Sequence, residues 1–89
     1  MTATILRVSG HLFCLPLQDV DTARSASVDS GGCVVLLYPV QNDQTAAIVF
    51  DEGKAVFAAV ADTTTEAQAI AEKAMRKVYP NCHYTGDLA

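Results

Sequence analysis

The sequence predicts an α+β domain: an antiparallel β-meander of about four or five strands with one carboxyl-terminal amphipathic helix packed on one face. Three observations lead there. Residues 33–61 hold three short apolar runs separated by turn residues. Residues 62–80 read as a helix with both ends marked. Residues 2–17 add two β-rich runs broken at Ser9-Gly10. The 89 residues make one domain, 1–89, long enough for a single small core.

Taken in chain order, Thr2 to Val8 mixes polar, apolar and β-branched positions as a strand does. His11 to Leu17 is apolar almost throughout, and Pro16, which has no N–H for a ladder, places this run at a sheet edge or ends it early. A hairpin turning at Ser9-Gly10 and one strand bulged at Gly10 both fit this segment. Gln18 to Gly32 has small and polar residues, no bulky apolar stripe and a closing glycine pair, so it reads as an unusually long loop. A short helical turn around Thr22 to Ser27, capped by Asp21, is the alternative there. Long connections in small domains tend to carry function, which makes 18–32 the first candidate for a working surface.

The meander follows. Val34 to Tyr38, Thr45 to Phe50 and Ala55 to Ala61 are apolar on both alternating faces. Gln41 to Gln44 and Asp51 to Lys54 join them, with Gly53 available for a positive φ, and connections this short force antiparallel pairing. Thr63 and Glu66 then stand at the spacing of a capping box, and Pro80 closes the helix. Ala67, Ile70, Ala71, Ala74, Met75, Val78 and Tyr79 recur at the spacing of one helix face. Ala67, Ala71 and Ala74 are expected over the meander, with Ile70, Met75 and Val78 filling the gaps. Glu72 and Arg76 are spaced as a stabilising i, i+4 pair.

One helix covers one face of a sheet that is apolar on both. The second face needs a cover, either the amino-terminal segment or another copy of the chain, and the pattern favours a homodimer. The charged fraction, 18%, is below the usual quarter, which also points to a partner.

The formal charge is −4, and the acids gather ahead of the helix. With Lys and Arg clustered only at Lys73, Arg76 and Lys77, no nucleic-acid partner is expected. No apolar run has the length of a membrane span and the amino terminus does not read as a signal peptide, so no membrane association and a cytoplasmic location are expected. Cys14, Cys33 and Cys82 are odd in number and widely spaced, which predicts reduced thiols.

His11, Cys14, Cys33, Cys82 and His83 are the conceivable zinc ligands, yet His11 and Cys14 point to opposite faces of an extended strand. A cysteine nucleophile would need one of these histidines within reach, and no nucleophile elbow, phosphate loop or calcium loop is present. No catalytic, cofactor-binding or metal-binding residue is therefore assigned, and no cofactor. The interaction candidates are Asp19, Asp21, Arg24 and Asp29 in the 18–32 segment, Asp43, Asp51 and Glu52 on the turns, and Tyr84 as an aromatic anchor.

Asp62-Thr63-Thr64-Thr65-Glu66-Ala67, entering an alanine-rich helix after a three-stranded meander, resembles the strand-to-helix step of HicB-type antitoxins and, more loosely, the end of a double-stranded-RNA-binding domain. The lysine cluster that the RNA-binding family carries at this helix start is absent, and no functional residue follows from the resemblance. The reading is a protein-binding module acting through self-association or a protein partner. The alternatives are a small acidic inhibitor, antitoxin-like or from a phage or mobile element, blocking a basic site, and a small enzyme with a Cys/His site.

Overall fold

The computed structural model describes residues 2–30, 32–78 and 84–87. Two strands, β1 (Ala3–Val8) and β2 (His11–Pro16), form a hairpin. Helix α1 (Leu17–Ser30) follows, then the meander β3 (Cys33–Pro39), β4 (Thr45–Asp51) and β5 (Lys54–Ala61), helix α2 (Thr64–Val78), and a short strand β6 (Tyr84–Asp87). The hairpin is a sheet of its own, and the second sheet has the order β5-β4-β3-β6. The α+β class stands, but the meander of four or five strands with a single helix is met only in part: the antiparallel meander has three strands, the hairpin is a separate sheet, β6 lies parallel to β3, and a second helix, α1, is present.

Turn chemistry settles the amino-terminal ambiguity. Val8 pairs with His11 across Ser9-Gly10, whose φ values of 52° and 78° are both positive, as a two-residue type I′ hairpin requires. Glu52-Gly53, at 51° and 82°, repeats the device between β4 and β5. The β3–β4 connection is a tight turn closed by the Val40 N–H donating to the Gln44 carbonyl at 2.9 Å, with Asn42 and Asp43 left-handed. These are residue types that tolerate that region.

Of the segment 18–32 read as a loop, residues 18–30 belong to a helix, α1, of 14 residues. Its buried stripe is Val20, Ala23 and Ser27, spaced three and four apart but small and partly polar. Small side chains let the helix axis lie close to the sheet, so a full contact forms without a bulky stripe. Ser27 is 0% exposed, and its hydroxyl donates to the Arg24 carbonyl at 2.8 Å while accepting the Gly53 N–H at 2.8 Å. A polar group buried at the helix–sheet contact is thereby hydrogen-bonded, and α1 is tied to the β4–β5 turn.

The sheet carries one core on each face. On the first, Leu6, Val8, Phe13 and Leu15 of the hairpin join Val20 and Ala23 of α1 over Leu36, Ala46, Ile48, Phe50 and Ala58. On the second, Ala67, Ala71 and Met75 of α2 lie on Cys33, Val35, Ala47, Val49 and Ala61. Strand alternation sends even and odd positions of β3 and β4 to opposite cores. In β5 the pairing slips between Val49 and Phe50, leaving Val56 as an extra residue, so Val56 and Phe57 both face the α2 core. The sheet face opposite α2 is therefore covered by the chain's own hairpin and α1, and the premise of the homodimer expectation falls.

Helix α2 begins as expected in part. Thr63 Oγ1 accepts the Glu66 N–H at 3.1 Å, but the reciprocal half of a capping box does not form among the described residues. Glu72 and Arg76 pair through Oε1 and an Nη atom. Ile70 does not fill the core; it is among the exposed large apolar residues, because the contact stripe narrows to Ala67, Ala71 and Met75. Tyr79 and Pro80 lie outside the described residues.

Candidate functional site

The hairpin packs on the rest of the fold through one of its two faces. Its inner positions, Leu6, Val8, Phe13 and Leu15, are spent on the core. Its outer face carries Ile5 and Leu12, 66% and 63% exposed, with Cys14 free and exposed. The register pairs Ile5 with Cys14 and Arg7 with Leu12, so Ile5 and Leu12 sit on a diagonal of one face, within reach of each other. Together they form a compact apolar patch with Arg7 at its side. Among the described residues neither long edge of this two-stranded sheet has a neighbouring strand.

The outer edge of β2 also borders a cleft of about 660 Å³. One wall is His11 to Leu15; the other is the end of β3 and the turn beyond it, with Tyr38, Val40, Gln41, Asn42 and Gln44. No Asp, Glu, Lys or Arg lines it. Asp62 anchors the turn from behind, its Oδ1 accepting from Gln44 Nε2 at 3.3 Å, and Thr45 and Thr64 meet through their hydroxyls at 3.3 Å.

A second, shallower groove runs along α1, about 790 Å³ in volume, and includes Thr2, Leu17, Asp21, Ser25 and Asp29. It brings two of the interaction candidates, Asp21 and Asp29, onto one concave surface. The Ser27–Gly53 bond sets the end of α1 against the β4–β5 turn, so Asp29 lies at the same end of the molecule as Asp51 and Glu52. Asp43 is at the opposite end, since the β3–β4 and β4–β5 turns cap opposite ends of β4. Asp19 falls in the first turn of α1 and is half-buried, as is Arg24. Tyr84 begins β6, opposite Cys33 on the sheet edge. The eight candidates thus form no single site. Leu12 and Cys14, which the sequence reading did not name as interaction residues, carried one legible signal, Pro16, four and two positions on, which marks a strand edge.

Among the described residues the histidine and the free thiol do not converge. His11 stacks its ring near Phe13, centroids 5.7 Å apart, on the strand face opposite Cys14. Cys33 is disulfide-bonded and 1% exposed at the start of β3, which corrects the expectation of reduced thiols. An odd number of cysteines argues against a multi-bridge framework but leaves room for one bridge. Cys82 and His83 lie outside the described residues. Among the described residues no group of three or more His, Cys, Asp or Glu side chains could hold a metal ion, and no helix is long and apolar enough to cross a membrane.

The chain matches no protein family model, and no curated protein or solved structure is significantly similar to it.

Proposed function

We propose that this chain is a small protein-binding module whose working surface is the β1–β2 hairpin. The observation that carries the reading is the patch of Ile5 and Leu12 on the outer face of a two-stranded sheet with free edges. Apolar side chains grouped beside unpaired strand edges are a liability unless a partner covers them. The partner takes precedence over a homodimer, because the sheet face that called for a second copy is already covered. Its net charge of −4 keeps nucleic acid an unfavourable partner.

Affinity capture from the source cell tests this when the wild-type chain is compared with Ile5→Glu and Leu12→Glu variants. The module reading expects a protein recovered by wild type, lost with both variants, and kept by Ile70→Glu, a control on the α2 layer. Equal recovery by all four chains would reject it.

The acidic-inhibitor reading stands second, favoured by the placement of Asp29, Asp51 and Glu52 at one end of the molecule. Such a surface suits a basic groove, and its binding would weaken steeply with salt. For the compartment, the disulfide at Cys33 favours an oxidising environment over the cytoplasm, since such bonds are rare where thiols are kept reduced. The Cys/His enzyme reading has no supporting geometry among the described residues.

A further inference from the structure

Resting on the protein-binding reading, we infer that the outer edge of β2 takes up an extended, centrally uncharged segment of a partner protein, flanked by basic residues, as an added β-strand.

The first support is the direction of the backbone groups. Val8 and His11 close the hairpin, and the Leu17 N–H donates to the Thr2 carbonyl at 2.9 Å, which continues the same ladder. In an antiparallel pair, facing residues alternate between those that exchange hydrogen bonds with each other and those that do not. His11, Phe13 and Leu15 are therefore turned toward β1, and Leu12 and Cys14 turn their N–H and C=O groups outward. Neither residue makes a hydrogen bond on that side. The next outward position is Pro16, which has no N–H to offer, so the row of donors ends there.

The second support is that this edge is a wall, not a bare rim. It faces Tyr38 and the β3–β4 turn across the cleft, so an entering strand meets backbone on one side and side chains on the other. From His11 to Leu15 the edge runs about 14 Å at ~3.4 Å per residue, room for four or five residues of partner chain. Main-chain bonds to Leu12 and Cys14 would hold such a segment, with alternate side chains reading the walls. Neither this cleft nor the groove along α1 is lined by Ala3, Ile5 or Arg7, the outward positions of β1.

Charge sets the chemistry of the occupant. The cleft itself is uncharged, whereas the turn that forms its far wall carries Asp43, next in sequence to the lining residues Asn42 and Gln44, and is bonded through Gln44 to Asp62. Arg7, across the hairpin from Leu12, is the opposing charge nearest in register. An uncharged centre with basic flanks satisfies both the cleft and the acidic rim. A second copy fits less well. Pairing β2 with itself about Phe13 would bond two residues per chain, far short of the ~1,200 Å² at which specific interfaces begin.

Amide hydrogen exchange by NMR tests the inference with three capped heptapeptides: Lys-Thr-Val-Thr-Val-Thr-Lys, its Glu-flanked counterpart, and the Lys-flanked form N-methylated at alternate residues. The Lys-flanked peptide should slow exchange at Leu12 and Cys14 by about tenfold and bind about two- to fivefold tighter than the Glu-flanked one at low salt. Asp43→Asn should shrink that preference, and the N-methylated peptide should protect neither amide. The inference is overturned if millimolar peptide slows neither amide, or if the N-methylated form binds equally. It is also overturned if raising the chain's own concentration alone protects them, which would make a second copy the occupant. Hairpin-dependent capture of a partner without protection of these amides would remove strand addition and leave the module reading intact. Loss of that capture would remove the module reading itself.

Discussion

Replacing Ser27 by alanine tests whether residues 17–30 are a docked helix or the loop that their composition suggests. Ser27 sits at 0% exposure between α1 and the β4–β5 turn, and its hydroxyl's bonds to the Arg24 carbonyl and from the Gly53 N–H are each 2.8 Å long. Losing a hydrogen bond of this kind costs about 1 kcal/mol, and leaving a buried donor unsatisfied costs about 1–3 kcal/mol. Gly53 is only part-buried, so water recovers some of that loss, and alanine favours the helix by about 0.5 kcal/mol. The net expectation is about 1–2 kcal/mol of destabilisation. For a domain of this size that lowers Tm by about 4–16 °C, read by circular dichroism, with an unchanged urea m-value. Ser25→Ala, on the exposed side of the same helix, should stay within about 0.5 kcal/mol of wild type. Equal stability of the two variants would refute the docking of α1.

Gly53→Ala should cost about 1–3 kcal/mol by urea unfolding, because φ is +82° and the new Cβ would lie 3.2 Å from Val28 Cγ2. Leu15→Ala, at 1% exposure in β2, should cost about 2–5 kcal/mol in the same assay, showing that the hairpin belongs to the core. Thr63→Ala should lose about 1 kcal/mol through the Glu66 N–H bond, and Thr63→Ser should restore most of it. In thiol labelling without reductant Cys14 should react and Cys33 should not, until a reductant is added; labelling of Cys33 in the native oxidised chain would remove the disulfide from the account.

The meander and α2 were legible because their signals are redundant: β-branched runs, tight turns and a cap residue all agree. Helix α1 was not, because Val20, Ala23 and Ser27 make a stripe that is correctly spaced but too small and polar to register as an apolar face. Its hydrogen-bonding logic depends on Gly53, 26 residues away, which no local pattern contains. Strand β6 escaped for a related reason: Tyr-Thr-Gly-Asp has little strand character, and its partner β3 is distant in sequence and parallel. The disulfide at Cys33 shows the limit of counting, since three cysteines allow one bridge as readily as none. Apart from Tyr84 the interaction candidates were chosen by charge, and the fold scatters them over both ends of the sheet. Leu12 and Cys14 became visible as an edge only when the register fixed which backbone groups point outward.

The binding surface can be located directly by a hydrogen-exchange footprint of the chain bound to the partner that it captures. The account predicts slowed exchange at Leu12 and Cys14, with the amides of Asp19 to Asp29 unchanged. Slowing confined to Asp19–Asp29 and the Asp51-Glu52 turn, with the hairpin amides as free as in the isolated chain, would contradict it.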